Sequence, residues 1–83
     1  MRRAAPDNIE NEVRSIIAQL LLIDEGEVTL SSTLKELGAD SIDEVEILMG
    51  IEDKYEILIG DDAADKLLNV ADIMEYVRKA TGK

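Results

Sequence analysis

The chain contains no cysteine, no histidine, no phenylalanine and no tryptophan. Without cysteine it can form no disulfide and offers no thiolate to a metal or a substrate. Without histidine, serine–histidine triads and most transition-metal sites drop out too. Tyr55 and Tyr76 are the only aromatic side chains, so the 46% hydrophobic fraction comes almost wholly from Leu, Ile, Val, Ala and Met. A core of flexible aliphatic side chains deforms more easily than one locked by rings. Basic residues are scarce as well: nine against nineteen acids, for a formal charge of −10. Repulsion disfavours nucleic acid and anionic membrane surfaces as partners. Basic protein surfaces are favoured instead, with encounter hastened by opposite charge. The same self-repulsion disfavours association between copies, so a monomer is expected.

Long apolar runs are also missing. The longest, Leu20 to Ile23, falls far short of the roughly 20 residues that a membrane span needs. Arg2 and Arg3 give a basic start, but the acids Asp7, Glu10 and Glu12 follow where a signal peptide would turn apolar. The expected location is the cytoplasm, with an organelle protein stripped of its targeting segment as the alternative. Eighty-three residues allow one domain, 1–83, with residues 1–6 expected to be flexible.

What is present reads as helix. Pro6 punctuates an entrance, and Asp7 with Glu10 resembles a capping box. Ile9, Val13, Ile16, Ile17, Leu20 and Leu21 recur at helical spacing; the pattern breaks over Ile23 to Glu27, where Gly26 is the expected helix stop or turn. From Glu27 to Asp40 runs a long connection with polar turn residues, in which Leu30, Leu34 and Leu37 are spaced like anchors onto a core. A connection of this length without regular structure is functional or disordered, and the leucines argue against disorder. A second helix is expected with Asp40 as N-cap and Ser41 as its first residue. Ile42, Val45, Leu48 and Met49 form one stripe on it, and Ile47, Ile51 and Tyr55 another, which predicts burial on more than one side. Gly60 introduces a short helix expected over 61–67. Asn69 caps a last helix from Val70 to about Ala80, with apolar positions Val70, Ile73, Met74 and Val77 and Gly82 past its end. A strand over Tyr55 to Ile59 is the weaker alternative. The fold class is all-α: three main helices, one short third helix and a long loop between helices one and two.

Little here can catalyse. Carboxylate pairs abound, but paired-carboxylate hydrolysis needs an enclosing pocket that a bundle of this size hardly provides. Asp61, Asp62 and Asp65 do not follow the spacing of an EF-hand loop. The segment that stands apart is Gly38-Ala39-Asp40-Ser41-Ile42, which puts a hydroxyl at a helix start after a flexible glycine. Amide donors and the positive end of the macrodipole would stabilise a phosphodiester there. On physical grounds alone, an ordinary first-turn serine is the better account of Ser41.

The run Gly38-Ala39-Asp40-Ser41-Ile42-Asp43-Glu44-Val45-Glu46 resembles the phosphopantetheine attachment motif of acyl carrier proteins, in which an Asp-Ser-Leu triplet opens the second helix. The likeness continues through Ile47-Leu48-Met49-Gly50-Ile51-Glu52-Asp53-Lys54-Tyr55, then Ile59, Ala64, Val70, Ile73, Tyr76 and Val77, and upstream through Leu34-Lys35-Glu36-Leu37. It thus covers nearly the whole chain. There are departures: Ile42 replaces the usual Leu, Gly60 stands where a Pro often precedes the third helix, and Tyr55 replaces a frequent Phe. Lys54 lowers the acidity late in the second helix, and Ile57-Leu58 replaces a more polar pair and predicts an exposed apolar spot.

The resemblance implies a four-helix acyl-carrier bundle, and a protein that is not itself an enzyme. A 4'-phosphopantetheine arm from coenzyme A would sit on Ser41, beside Asp40, and supply the thiol that the chain lacks. Partners would be a phosphopantetheinyl transferase and acyl synthases and transferases with basic docking patches. Docking residues would be Asp40, Asp43, Glu44, Glu46, Ile47, Glu52, Asp53 and Glu56, with an apolar contact from Met49. An acyl chain gains about 0.8 kcal/mol per buried CH₂, and Val45, Met49, Ile59, Leu67 and Ile73 are the expected lining, if they are not plain core. Fatty-acid synthesis is the leading pathway; polyketide, specialised lipid or aminoacyl carriage share the same chemistry. A different class, an unmodified acidic interaction module, would bind basic partners through the same face without an arm.

Overall fold

The four expected helices are all present. The computed structural model describes residues 7–82, with side chains from residue 9, and places α1 at Asp7–Leu21, α2 at Ser41–Tyr55, α3 at Asp61–Ala64 and α4 at Val70–Thr81. No strand occurs among the described residues. The expected flexibility of 1–6 and the Asp7–Glu10 capping box lie outside what is described.

Helix α1 packs against both α2 and α4. Its stripe of Ile9, Val13 and Ile17, with Ala18, is buried, and Ile16, Leu20 and Leu21 pack at the margin. Helix α2 contributes Ile47 and Ile51, and α4 contributes Val70, Ile73, Met74 and Val77. The resulting core is wholly aliphatic apart from the Met74 thioether, and no polar or charged residue is buried among those described. Gly50 is where α1 and α2 come close: a Cβ there would meet Ile16 Cγ2 at 3.5 Å.

The first helix ends at Leu21, where its apolar stripe stops. Leu22 takes the left-handed conformation at φ 59°, and the Ile23 amide donates back to the Ala18 carbonyl at 3.0 Å. That bond is the signature of a Schellman stop. Of its two expected roles Gly26 takes the turn: it lies in a single 3-10 turn, Glu25–Glu27, tied to α1 by Arg14 Nη2 donating to the Glu25 carbonyl at 2.8 Å. Helix α2 stops in the same way, with Glu56 at φ 56° and the Ile57 amide on the Glu52 carbonyl at 3.1 Å.

The α1–α2 connection is ordered by its own turns. Thr33 and Glu36 cap each other reciprocally at 3.0 Å, side chain to amide in both directions. Leu34 is buried and Leu37 partly so, as expected, whereas Leu30 is exposed and Val28 takes the place of the third anchor. The loop also terminates another helix: the Val70 and Ala71 amides donate to the Ser32 and Leu30 carbonyls, both at 3.0 Å. Two otherwise orphaned amides of α4 are thereby satisfied by backbone distant in sequence.

Two further expectations need correction. Helix α3 spans four residues rather than 61–67, because the chain tightens to short i→i+3 bonds, Lys66 to Ala63 and Leu67 to Ala64. Helix α2 is not buried on two sides: Ile42, Val45 and Met49 are 69%, 56% and 56% exposed. Only Leu48 of their stripe is partly covered, where it meets the α1–α2 loop and the α3 region; the other three face solvent.

Candidate functional site

Each residue of the segment leading into α2 has a separate local job. Gly38 adopts φ 98°, a conformation that side chains rarely allow. That turn drives Ala39 inward, where it is buried and its amide donates to the Leu34 carbonyl at 3.0 Å. Asp40 then caps α2: its Oδ1 accepts from the Asp43 amide at 2.9 Å while Asp43 Oδ2 accepts from the Asp40 amide at 3.2 Å. Ser41 follows as the first helical residue and is exposed. Its neighbours are thus fixed on both sides while its hydroxyl makes no hydrogen bond among the described residues.

The electrostatics of this start are divided. The Asp40–Asp43 box consumes two amides, while those of Ser41 and Ile42 have no acceptor among the described residues. Unpaired first-turn amides and the positive end of a 15-residue helix suit a phosphate ester on the serine oxygen. Such a group fits without displacing anything. As a nucleophile, by contrast, Ser41 lacks a partner: the Asp40 carboxylate is engaged in its cap and the chain has no histidine.

Beside this start lies a pocket of about 240 Å³ between the α1–α2 loop, α2 and the α3 region. Its apolar part comes from Leu34, Leu48, Ala64, Leu67 and Leu68, and its polar part from Thr33, Lys35, Glu44 and Asp65. Ser41, Glu44 and Leu48 are three and seven residues apart, so they share a face of α2. Among the five residues expected to line an acyl space, Leu67 alone belongs to this pocket. Ile73 is fully buried core and Ile59 packs against the core. Val45 and Met49 project from the open flank of α2, joining Ile42 in an apolar stripe beside Ser41.

The expected docking face is thinner than its sequence suggests. Ile47 has none of its surface exposed, so its side chain is unavailable to a partner; it is a core residue. Asp43 is half-buried in the cap, Glu44 borders the pocket, and Glu52 Oε2 accepts from the Ile59 amide at 2.7 Å. Glu46, Asp53 and Glu56 are exposed, as is Asp40. Leu58, 85% exposed, forms the expected apolar spot after α2. Sequence reasoning missed Leu34, Leu48, Ala64 and Leu68 as pocket residues. The spacing of Glu44 and Leu48 from Ser41 was the available signal.

Comparison with known proteins agrees with this geometry. A family model described as "Phosphopantetheine attachment site" matches residues 11–77. A curated protein of Akkermansia muciniphila, described as "Acyl carrier protein", is 40% identical over 77 residues, which cover 92% of this chain and 96% of its own length.

Proposed function

The chain belongs to the acyl carrier protein family, and from that premise we propose that it carries acyl intermediates on a 4'-phosphopantetheine arm attached to Ser41. The observation that carries this reading is an exposed, unengaged hydroxyl on a rigidly capped helix start with two open amides. When bound, the arm supplies the thiol that this cysteine-free chain lacks, and the acyl group is held there as a thioester. The protein's own residues do the rest. Gly38, Ala39 and Asp40 position the serine, and the Ser41 and Ile42 amides would hold the phosphate. The chain acts as carrier rather than catalyst.

Docking is assigned to the open flank of α2. Ile42, Val45 and Met49 offer an apolar stripe, and Glu46, Asp53 and Glu56, with Asp40, offer free or accessible carboxylates. A phosphopantetheinyl transferase and acyl synthases and transferases with Arg and Lys patches fit such a surface. The pocket of Leu34, Leu48, Ala64, Leu67 and Leu68 is the proposed shelter for the cargo.

Fatty-acid synthesis in the cytoplasm, by a monomer whose single domain spans 1–83, is the proposed setting. No helix among the described residues is long and apolar enough to cross a membrane. Mild isolation of the protein from its own cells, followed by mass analysis of what Ser41 carries, tests the pathway. Saturated and 3-hydroxyacyl chains support it. Polyketide intermediates or an aminoacyl group would move the protein to a specialised pathway, and an unmodified Ser41 on protein from growing cells would refute the carrier reading.

A further inference from the structure

Residues 60–67 cross from α2 towards α4, held by side-chain hydrogen bonds beyond both ends and by Ile59 and Leu67, which pack against the core. At the first end, Glu52 Oε2 accepts from the Ile59 amide at 2.7 Å and the Tyr76 hydroxyl donates to the Leu58 carbonyl at 2.7 Å. At the other, Asp72 Oδ2 accepts from the Leu68 amide at 3.0 Å, while Asn69 Oδ1 accepts from the Asp72 amide at 2.9 Å. Between these points α3 has four residues, none of them buried, and Gly60 gives it no side-chain cap. A single helical turn does not support itself in water. Ala64, Asp65 and Leu67 nevertheless form one wall of the pocket, facing Leu34, Glu44 and Leu48. The pocket is therefore closed on one side by a segment that its own helix cannot hold in place.

The two bonds at the first end are not equivalent. Tyr76 holds an exposed carbonyl, which water can satisfy in its stead. The bond to the Ile59 amide is part-buried and accepted by a carboxylate, so its loss strands a donor and forfeits a charge-assisted contact. We propose that Glu52 is the latch of this flap: by holding the Ile59 amide it keeps residues 60–67 over the pocket and sets how often the pocket opens. The nature of the occupant rests on the carrier reading above; the latch itself does not. Glu52 is thus a positioning residue, and its carboxylate is only in part available to a docking partner.

Amide hydrogen exchange on the unmodified full chain tests the latch directly. Glu52→Ala should speed exchange at Ile59 and at the bonded amides 64–67 by about tenfold or more, the equivalent of a part-buried bond to a charged group. Slow exchange at Val13, Ile17 and Ile47 should persist. Glu52→Gln keeps an acceptor oxygen and should restore most of the protection. On the loaded protein, an octanoyl thioester should be cleaved faster by hydroxylamine in Glu52→Ala than in wild type, with Glu52→Gln close to wild type. Unchanged exchange at Ile59 and 64–67 in the alanine variant would overturn the latch. So would an equal rise at the core amides, which would make Glu52 a general stabiliser. Faster exchange with unchanged thioester cleavage would overturn its control of the pocket. If Ser41 accepts no arm, the carrier reading fails while the exchange measurement still decides the latch.

Discussion

The phenol of Tyr55 donates to Glu12 Oε1 at 2.6 Å, joining the end of α2 to the middle of α1. Lys54 approaches the same carboxylate at 3.9 Å. Burial first, then the Glu12 hydrogen bond and its negative charge, push the phenol well above its ordinary pKa. The folded protein therefore keeps a proton that the unfolded chain releases near pH ~10. The contribution is complete below that pH and is lost as the pH rises beyond it.

Tyr55→Phe should accordingly cost about 1–2 kcal/mol at pH 8, a part-buried bond to a charged acceptor. The gap between wild type and variant should narrow from about pH 10 upward, as only wild type loses stability through this proton. Urea unfolding midpoints at a series of pH values read it out. A gap that stays constant to pH ~11 would contradict the linkage.

Leu22 is 89% exposed and sits in the left-handed region at φ 59°, so it gains little from burial and strains the backbone. Leu22→Gly removes a penalty of about 1–2 kcal/mol and adds roughly 0.5–1 kcal/mol of unfolded-state entropy. The net gain should raise the melting temperature by a few degrees, about 2–6 °C. A lower melting temperature would mean that the exposed leucine makes a contact that this geometry does not contain.

Charge reversal separates docking from folding along α2. Glu46 is exposed and makes no ion pair among the described residues. Glu46→Lys should leave the melting temperature unchanged or higher while slowing transfer of the arm several-fold at low salt, an effect that fades with added salt. Asp43→Lys should differ, because it breaks the Asp40–Asp43 box and costs about 1 kcal/mol besides. Equal transfer rates for wild type and Glu46→Lys at low ionic strength would remove Glu46 from the docking surface.

The −10 charge should make stability depend on ions. Melting temperature should climb with sodium chloride and climb further with magnesium at equal ionic strength. A flat response to both would show that self-repulsion is negligible in this fold.

Much of this was readable from the chain because local rules and tertiary packing agree. The α4 stripe of Val70, Ile73, Met74 and Val77, the Asn69 cap and the Gly82 stop all stand where periodicity and capping chemistry put them. The Asp40 cap before Ser41 was legible for the same reason. Where the reading failed, the deciding partner lay elsewhere in the sequence. Nothing near Val28 marks it as a buried anchor, and nothing near Ser32 says that its carbonyl caps α4. Gly26 suits a helix stop or a turn, and the sequence does not say that Leu22 accepts positive φ and stops α1 first, leaving Gly26 the turn. On α2 the two apolar stripes were visible, but which one the bundle covers depends on where α1 lies. That choice buries Ile47 and leaves Val45 and Met49 in water.

Attachment of the arm to Ser41 can be read from intact mass. The full chain and Ser41→Ala are incubated with coenzyme A and a broad-specificity phosphopantetheinyl transferase, and each is weighed before and after. One added phosphopantetheine is expected on wild type, mapped to the peptide containing Ser41, and none on the variant. No gain on folded wild type with an active transferase, or an equal gain on Ser41→Ala, would contradict it.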